Sequence, residues 1–257
     1  MGSEFFLFLG VGFLAQLVDG ALGMAYGVVS SSVLLTFGVT PAAASAAAHT
    51  AEVFTTAASA SSHVWHRNVN WRLFWLLAPA GIVGGVLGTY ILTSIDGSVL
   101  KPFVAGYLGI MGLYILYRAF FRPLVLREHG AGFVAPLGAV GGFMDAVGGG
   151  GWGPVVTTGI VGTGGAPRES IGTVNTAEFF LTAAVSASFL FALLTGHWTE
   201  DVGLGDYLWP VLGLILGGLM AAPLAGHVVK VIPARRLLVM VGLLIVTLAI
   251  YQTWRLF

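Results

Sequence analysis

Residues 145–158 read DAVGGGGWGPVVTT, an aspartate and four consecutive glycines set inside an apolar stretch. Consecutive glycines leave backbone N–H groups uncovered and able to point at one spot, the geometry of an anion-binding concavity. Pro154 follows at the first position of an expected helix, where its missing N–H costs nothing. The positive end of that helix faces the glycines. Gly148, Gly149, Gly150, Gly151 and Trp152 are therefore candidate anion ligands, and a methyl at Gly150 or Gly151 is expected to remove binding without harming insertion. A plainer role competes, because glycine also lets membrane helices pack closely. An earlier stretch, DGALGMAYG at 19–27, offers Gly23 and Tyr26 in the same places, with Asp19 standing as Asp145 does.

A second pair of motifs follows the glycines, AHTAE at 48–52 and VNTAE at 174–178. His49 and Glu52 are three residues apart and share a helix face, as do Asn175 and Glu178. Thr50 and Thr176 lie beside that face as hydroxyl donors. His49 has the side chain that carries a proton near neutral pH. Asp19, Glu52, Asp145 and Glu178 are the charged residues that fall away from loops and helix ends. A charge at the bilayer centre costs about 2.5–3.5 kcal/mol on insertion scales. All four are accordingly candidates for coupling or gating, with a proton or a sodium ion as the coupled species. For the two aspartates a capping role at the half-helix beyond the glycines competes evenly.

The elements that hold these residues follow from composition. Of 257 residues, 57% are hydrophobic and 9% charged, with a mean hydropathy of +0.92. A soluble domain carries about 25% charged residues. Apolar runs at 73–93, 99–117, 207–229 and 237–251 match the roughly 20 residues needed to cross a bilayer core. They come as long runs rather than alternating segments, which disfavours a barrel. The net charge is zero and no basic patch suggests nucleic acid. With no cysteine, disulfides and thiolate metal sites are excluded. The start, MGSEFFLFLG, lacks the basic region of a cleavable signal peptide.

The chain also repeats itself. Residues 12–62 align without a gap to 138–188, with 15 of 51 positions identical. Asp19, Gly23, Gly27, Pro41, Thr50 and Glu52 recur as Asp145, Gly149, Gly153, Pro167, Thr176 and Glu178, while Tyr26 becomes Trp152 and His49 becomes Asn175. Each repeat reads as five hydrophobic pieces: 5–18, 27–37, 41–62, 71–93 and 99–117, then 131–146, 154–162, 167–195, 207–229 and 236–254. The first two pieces of each are short and separated by glycine, which suits half-helices meeting at a break. Proline at 41 and 167 marks the start of each third piece.

Loop charge orients the repeats. Arg67 and Arg72 lie in the loop at 63–72, whereas its partner at 196–206 holds Glu200, Asp201 and Asp206; the 118–129 linker and 230–236 are basic. Cytoplasmic loops carry the Lys/Arg excess, so equivalent loops fall on opposite sides and both termini fall outside. The expected fold is an all-α polytopic membrane protein of two inverted-topology repeats, 1–125 and 126–257, with broken helices meeting near the midplane. Such repeats are a transporter signature. No Gly-x-x-x-x-Gly-Lys loop for ATP is present, so an ion or substrate gradient must drive transport. A passive anion channel is the nearest rival. A metal-dependent intramembrane enzyme at His49, Glu52, Asp145 and Glu178 is disfavoured, because no His-Glu-x-x-His motif occurs. No cofactor is expected.

DGALGMAYG, HTAE, DAVGGGGWGP and GTVNTAEFF resemble the paired motifs of the sulfite exporter TauE/SafE family of membrane permeases, and the resemblance spans nearly the whole chain. It implies export of sulfite or a small organosulfonate such as sulfoacetate across the bacterial inner membrane. The first half departs from the family's common triple glycine, with Leu22, Met24 and Ala25 around a single Gly23, which favours an anion site dominated by the second half.

Overall fold

A computed structural model describes residues 2–121, 130–163, 165–198, 208–231 and 234–254. Helix α1 (Gly2–Leu22) precedes the first break and α2 (Tyr26–Thr36) follows it. Then come α3 (Pro41–Trp65), α4 (Trp71–Ser94) and α5 (Gly97–Phe121). Helix α6 (Ala131–Gly148) leads to the second break, beyond which a widened π-helical turn (Gly153–Thr157) runs into the short α7 (Thr158–Gly162). The chain continues as α8 (Pro167–Leu194), α9 (Leu208–Val231) and α10 (Ala234–Trp254).

The punctuation is local chemistry. Pro41 and Pro167 occupy first-turn positions, and the Thr40 hydroxyl accepts from the Ala43 amide at 3.4 Å. Asn70 caps α4 by accepting from the Leu73 amide at 3.1 Å. Helices α1 and α6 run longer than the half-helices expected from the sequence, continuing through Asp19 and Asp145. Neither aspartate breaks its helix, because its own backbone carbonyl closes the last turn: Gly23 N donates to Asp19 O at 2.6 Å and Gly150 N to Asp145 O at 3.1 Å. Each break is then only three residues long, 23–25 and 149–151.

Helix α3 packs on α8 at the centre, α1 on α9, α4 on α6, and α5 on α10. The outer pairs approach closely at glycine: a Cβ on Gly142 or Gly217 would land on the carbonyl of Gly81 or Leu9. Four helices among the described residues are long and apolar enough to span a bilayer: Trp71–Ser94, Ser98–Tyr117, Ala131–Gly148 and Glu169–Leu194. Phe6, Trp75, Phe103, Ile110, Phe191 and Ile250 face outward, while Ser30, Ser31, Ser32, Ser45, His49 and Asn175 are buried. Apolar outside and polar inside is the arrangement for a hydrocarbon solvent. The loop charges Arg122, Arg127, Glu200, Asp201 and Asp206 lie outside the described residues.

Candidate functional site

The two breaks cross each other, backbone against backbone. A Cβ on Gly27 would lie 2.7 Å from Gly149 O and 2.8 Å from Gly150 Cα. Reciprocally, a Cβ on Gly153 would lie 2.5 Å from Met24 Cα and 2.9 Å from Gly23 O. The Ser31 hydroxyl donates to Gly149 O at 2.5 Å, and the Thr157 hydroxyl to Gly23 O at 2.8 Å. Gly27 and Gly153, Ser31 and Thr157, and Gly23 and Gly149 are equivalent positions of the repeat. The glycines are spent on this interlock. Gly23 and Gly149 adopt positive φ, +66° and +67°, where other residues are disfavoured.

Asp145 fills the hollow that the glycine amides make. Its Oδ1 accepts from Gly151 N at 2.6 Å and from Trp152 N at 2.8 Å, while its backbone carbonyl takes the amides of Gly149 and Gly150. Asp19 Oδ1 stands in the same relation to Tyr26 N, at 3.5 Å. The capping role is thus the one both aspartates fill here, Asp145 more tightly. The N–H groups expected to be open are held by the protein's own carboxylate.

His49 closes the network and fixes a proton count. Its Nδ1 faces two oxygens of Ser45, the carbonyl at 2.8 Å and the hydroxyl at 3.3 Å. The Ser45 hydroxyl proton is committed to Ala146 O at 2.5 Å. Nδ1 must therefore carry its proton. The other ring nitrogen, Nε2, lies 2.9 Å from Asp145 Oδ2, a contact that also needs a proton between its atoms. The pair holds one proton more than a neutral imidazole and a carboxylate would. Glu52 and Glu178 complete the cluster, each with one carboxylate oxygen, Oε2, buried without a partner. Asp19, Glu52, Asp145 and Glu178 are each 5% exposed or less and lie within electrostatic reach of one another in the core. Ligand atoms of His49, Glu52 and Asp145 lie within 4.8 Å of one another, but the proton held between His49 and Asp145 leaves no imidazole lone pair free for a cation.

Other expected residues are dispersed. The Tyr26 hydroxyl donates to Leu214 O at 2.9 Å, and Trp152 Nε1 to Val174 O at 3.1 Å, so both rings anchor the half-helix starts. A Cβ on Gly148 would land on the ring of Tyr107. Thr50 is exposed and its hydroxyl returns to Ala46 O; that of Thr176 returns to Gly172 O. Thr176 lines a lateral cavity of about 620 Å³ bounded by Trp71, Phe74 and Phe180. Neither threonine joins the breaks, because a position one residue from the His49 or Asn175 face is turned about 100° away. Asn175 sits beside Ser59 and His63, at 3.2 and 3.5 Å.

Some participants escape the motifs. Tyr107 brings a buried hydroxyl without a partner to Gly151. Thr56 and Thr182, equivalent in the repeat, meet at 3.5 Å where α3 crosses α8. Their signal in the sequence was their identity across the alignment.

Apolar helices around a polar core of interrupted helices define a polytopic membrane protein of the transporter class. The family model for the sulfite exporter TauE/SafE matches residues 8–252, and the chain belongs to that family. A curated relative, the probable membrane transporter protein YtnM of Bacillus subtilis (strain 168), is 42% identical over 246 residues, covering 93% of this chain and 79% of the relative. Both names point to a transporter rather than an enzyme. No solved structure matches the chain.

Proposed function

We propose that the protein is a secondary transporter that exports a small sulfur oxyanion, sulfite or an organosulfonate such as sulfoacetate, across the bacterial cytoplasmic membrane. Two repeats of opposite orientation, 1–125 and 126–257, work by alternating access. The observation that carries the reading is the reciprocal crossing of two broken helices around four buried carboxylates.

Opposite orientation is supported at the centre. Helices α3 and α8 run antiparallel, with Thr56 beside Thr182 and His63 beside Asn175. A two-fold relating antiparallel equivalents lies in the membrane plane. The exchanged packing of α1 with α9 and α6 with α4 agrees. The Lys/Arg excess in 63–72 and 118–129 puts those loops in the cytoplasm and both termini outside.

The anion binds where Asp145 now sits. The Gly151 and Trp152 amides already hold a carboxylate, so they are built for an oxyanion. An arriving sulfonate or sulfite displaces the Asp145 carboxylate, and the unpartnered Tyr107 hydroxyl is a further donor beside it. Displacement raises the local negative charge unless the cluster takes up a proton, which couples the two ligands. Glu52 and Glu178 are the acceptors.

Ligand binding tests this reading. Purified protein is expected to be stabilised by sulfite or sulfoacetate, by about 2.7 kcal/mol at 100 times Kd. Thermal melting across sulfite, sulfate, thiosulfate, sulfoacetate, taurine and carboxylates measures it. No shift with any sulfur oxyanion would remove the substrate assignment.

A further inference from the structure

The repeat is asymmetric in one place that its motifs do not touch. Beyond the Thr56–Thr182 crossing, α3 continues with Ser59 and His63, whereas the equivalent residues of α8 are Val185 and Phe189. The two ends of the α3–α8 seam therefore differ. Toward residues 66–70 the seam holds Ser59, His63 and Asn175, with the Asn175 amide donating to Ser59 Oγ at 3.2 Å and lying 3.5 Å from His63 Nε2. Asn68 Nδ2 stands 3.4 Å from the other ring nitrogen of His63. Asn175 Oδ1 is buried without a partner. Toward the other end Val185 and Phe189 are 0% and 2% exposed, and the Phe189 ring lies 6.3 Å from that of His49 and 5.6 Å from that of Trp198. One end is wettable and the other is closed by apolar side chains.

We infer that the α3–α8 seam on the side of residues 66–70 is the route by which a proton reaches the buried carboxylates, lined by Ser59, His63 and Asn175. Each step is one helical turn. His63, Ser59, Thr56 and Glu52 succeed one another along α3, and Asn175, Glu178 and Thr182 along α8. Among the partnerless buried oxygens of α3 and α8, those of Asn175 and Glu178 lie on this side of the Thr56–Thr182 crossing and those of Glu52 and Ser186 just beyond it, as expected where water or a proton passes inward from the mouth. The titratable groups around it are the four carboxylates, His49, Tyr26 and Tyr107 in the core, and His66 beside His63 at the mouth. The inference rests on the proposed coupling role of Glu52 and Glu178, but its test concerns access alone and needs no substrate.

The chain contains no cysteine, so single cysteines report directly. In oriented membrane vesicles, a membrane-impermeant cationic thiol reagent is expected to modify Ser59→Cys from the face that modifies Arg67→Cys. Val185→Cys should react about tenfold more slowly, or not at all, from either face. Equal reactivity at 59 and 185, or an inert Ser59→Cys, would overturn the route. A second measurement uses water-soluble carbodiimide, which attacks protonated carboxyl groups. Modification of Glu52 or Glu178, read by mass spectrometry, should fall about tenfold in Ser59→Val/His63→Phe, which only copies the residues of the other end. Raising the pH should protect the wild type. Unchanged labelling in the double variant contradicts the route, and protection by sodium at constant pH contradicts the proton.

Discussion

Replacing Asp145 with alanine is expected to cost about 3–5 kcal/mol of stability, the range for removing one partner of a buried ion pair. Three groups lose a partner at once: the Gly151 amide, the Trp152 amide and His49 Nε2. None can turn to water, because Trp152 and His49 are fully buried. Asp145→Asn should behave differently. Its Oδ1 still accepts from both amides, and its Nδ2 donates to the Nε2 of a neutral His49, so the fold survives within about 1 kcal/mol. What the asparagine variant loses is the extra proton of the pair. Thermal melting in detergent separates the two: a large drop for alanine and a small one for asparagine. Equal drops would contradict the proton count read from His49.

Gly150→Ala has the second largest expected effect. Gly150 has a φ of +155°, and its missing Cβ would land on the amide nitrogen of Val28, with Val28 Cα at 2.7 Å. Those obstacles are backbone of the first turn of α2, just past the other break, which cannot rotate away. The expected cost is about 3 kcal/mol or more, the upper end of overpacking penalties, through loss of the crossing itself. Gly132→Ala is the control, since nothing lies within 4 Å of its Cβ position. Poor recovery of folded Gly150→Ala beside normal Gly132→Ala is the expected pair of results. A Gly150→Ala protein that melts like the wild type would mean the breaks do not interlock as described.

This differs from the expectation that a methyl at Gly150 would only remove anion binding, and the reason is instructive. A run of glycines in sequence signals either exposed amides or close packing, and nothing local distinguishes them. The deciding facts are long-range: Val28 lies against Gly150, and the Asp145 side chain reaches over the amides six and seven residues ahead. What was legible was periodic or paired. The helices announced themselves by apolar runs, the breaks by glycine beside aspartate, and the buried acids by falling inside those runs. Thr50 and Thr176 were placed with them because each carries a hydroxyl beside the His49–Glu52 or Asn175–Glu178 face, yet a neighbour along the chain turns about 100° away from that face. Tyr107 was invisible for the opposite reason. It lies on α5 with no motif around it and reaches the second break only through tertiary packing. Ser59 and His63 did carry a signal, but an inverted one: they are polar where their repeat partners are valine and phenylalanine.

Counterflow in proteoliposomes is the most direct test of coupled oxyanion transport. Vesicles of purified protein loaded with unlabelled sulfite are placed in a trace of radiolabelled sulfite, with and without a pH gradient. Saturable accumulation of label driven by exchange is expected, with net flux that responds to the pH gradient. Glu52→Gln or Glu178→Gln should keep exchange while losing at least part of that response. Flux that neither saturates nor shows counterflow would make the protein a channel. Flux with the wild-type pH response in both glutamine variants would take the coupling role from the two glutamates.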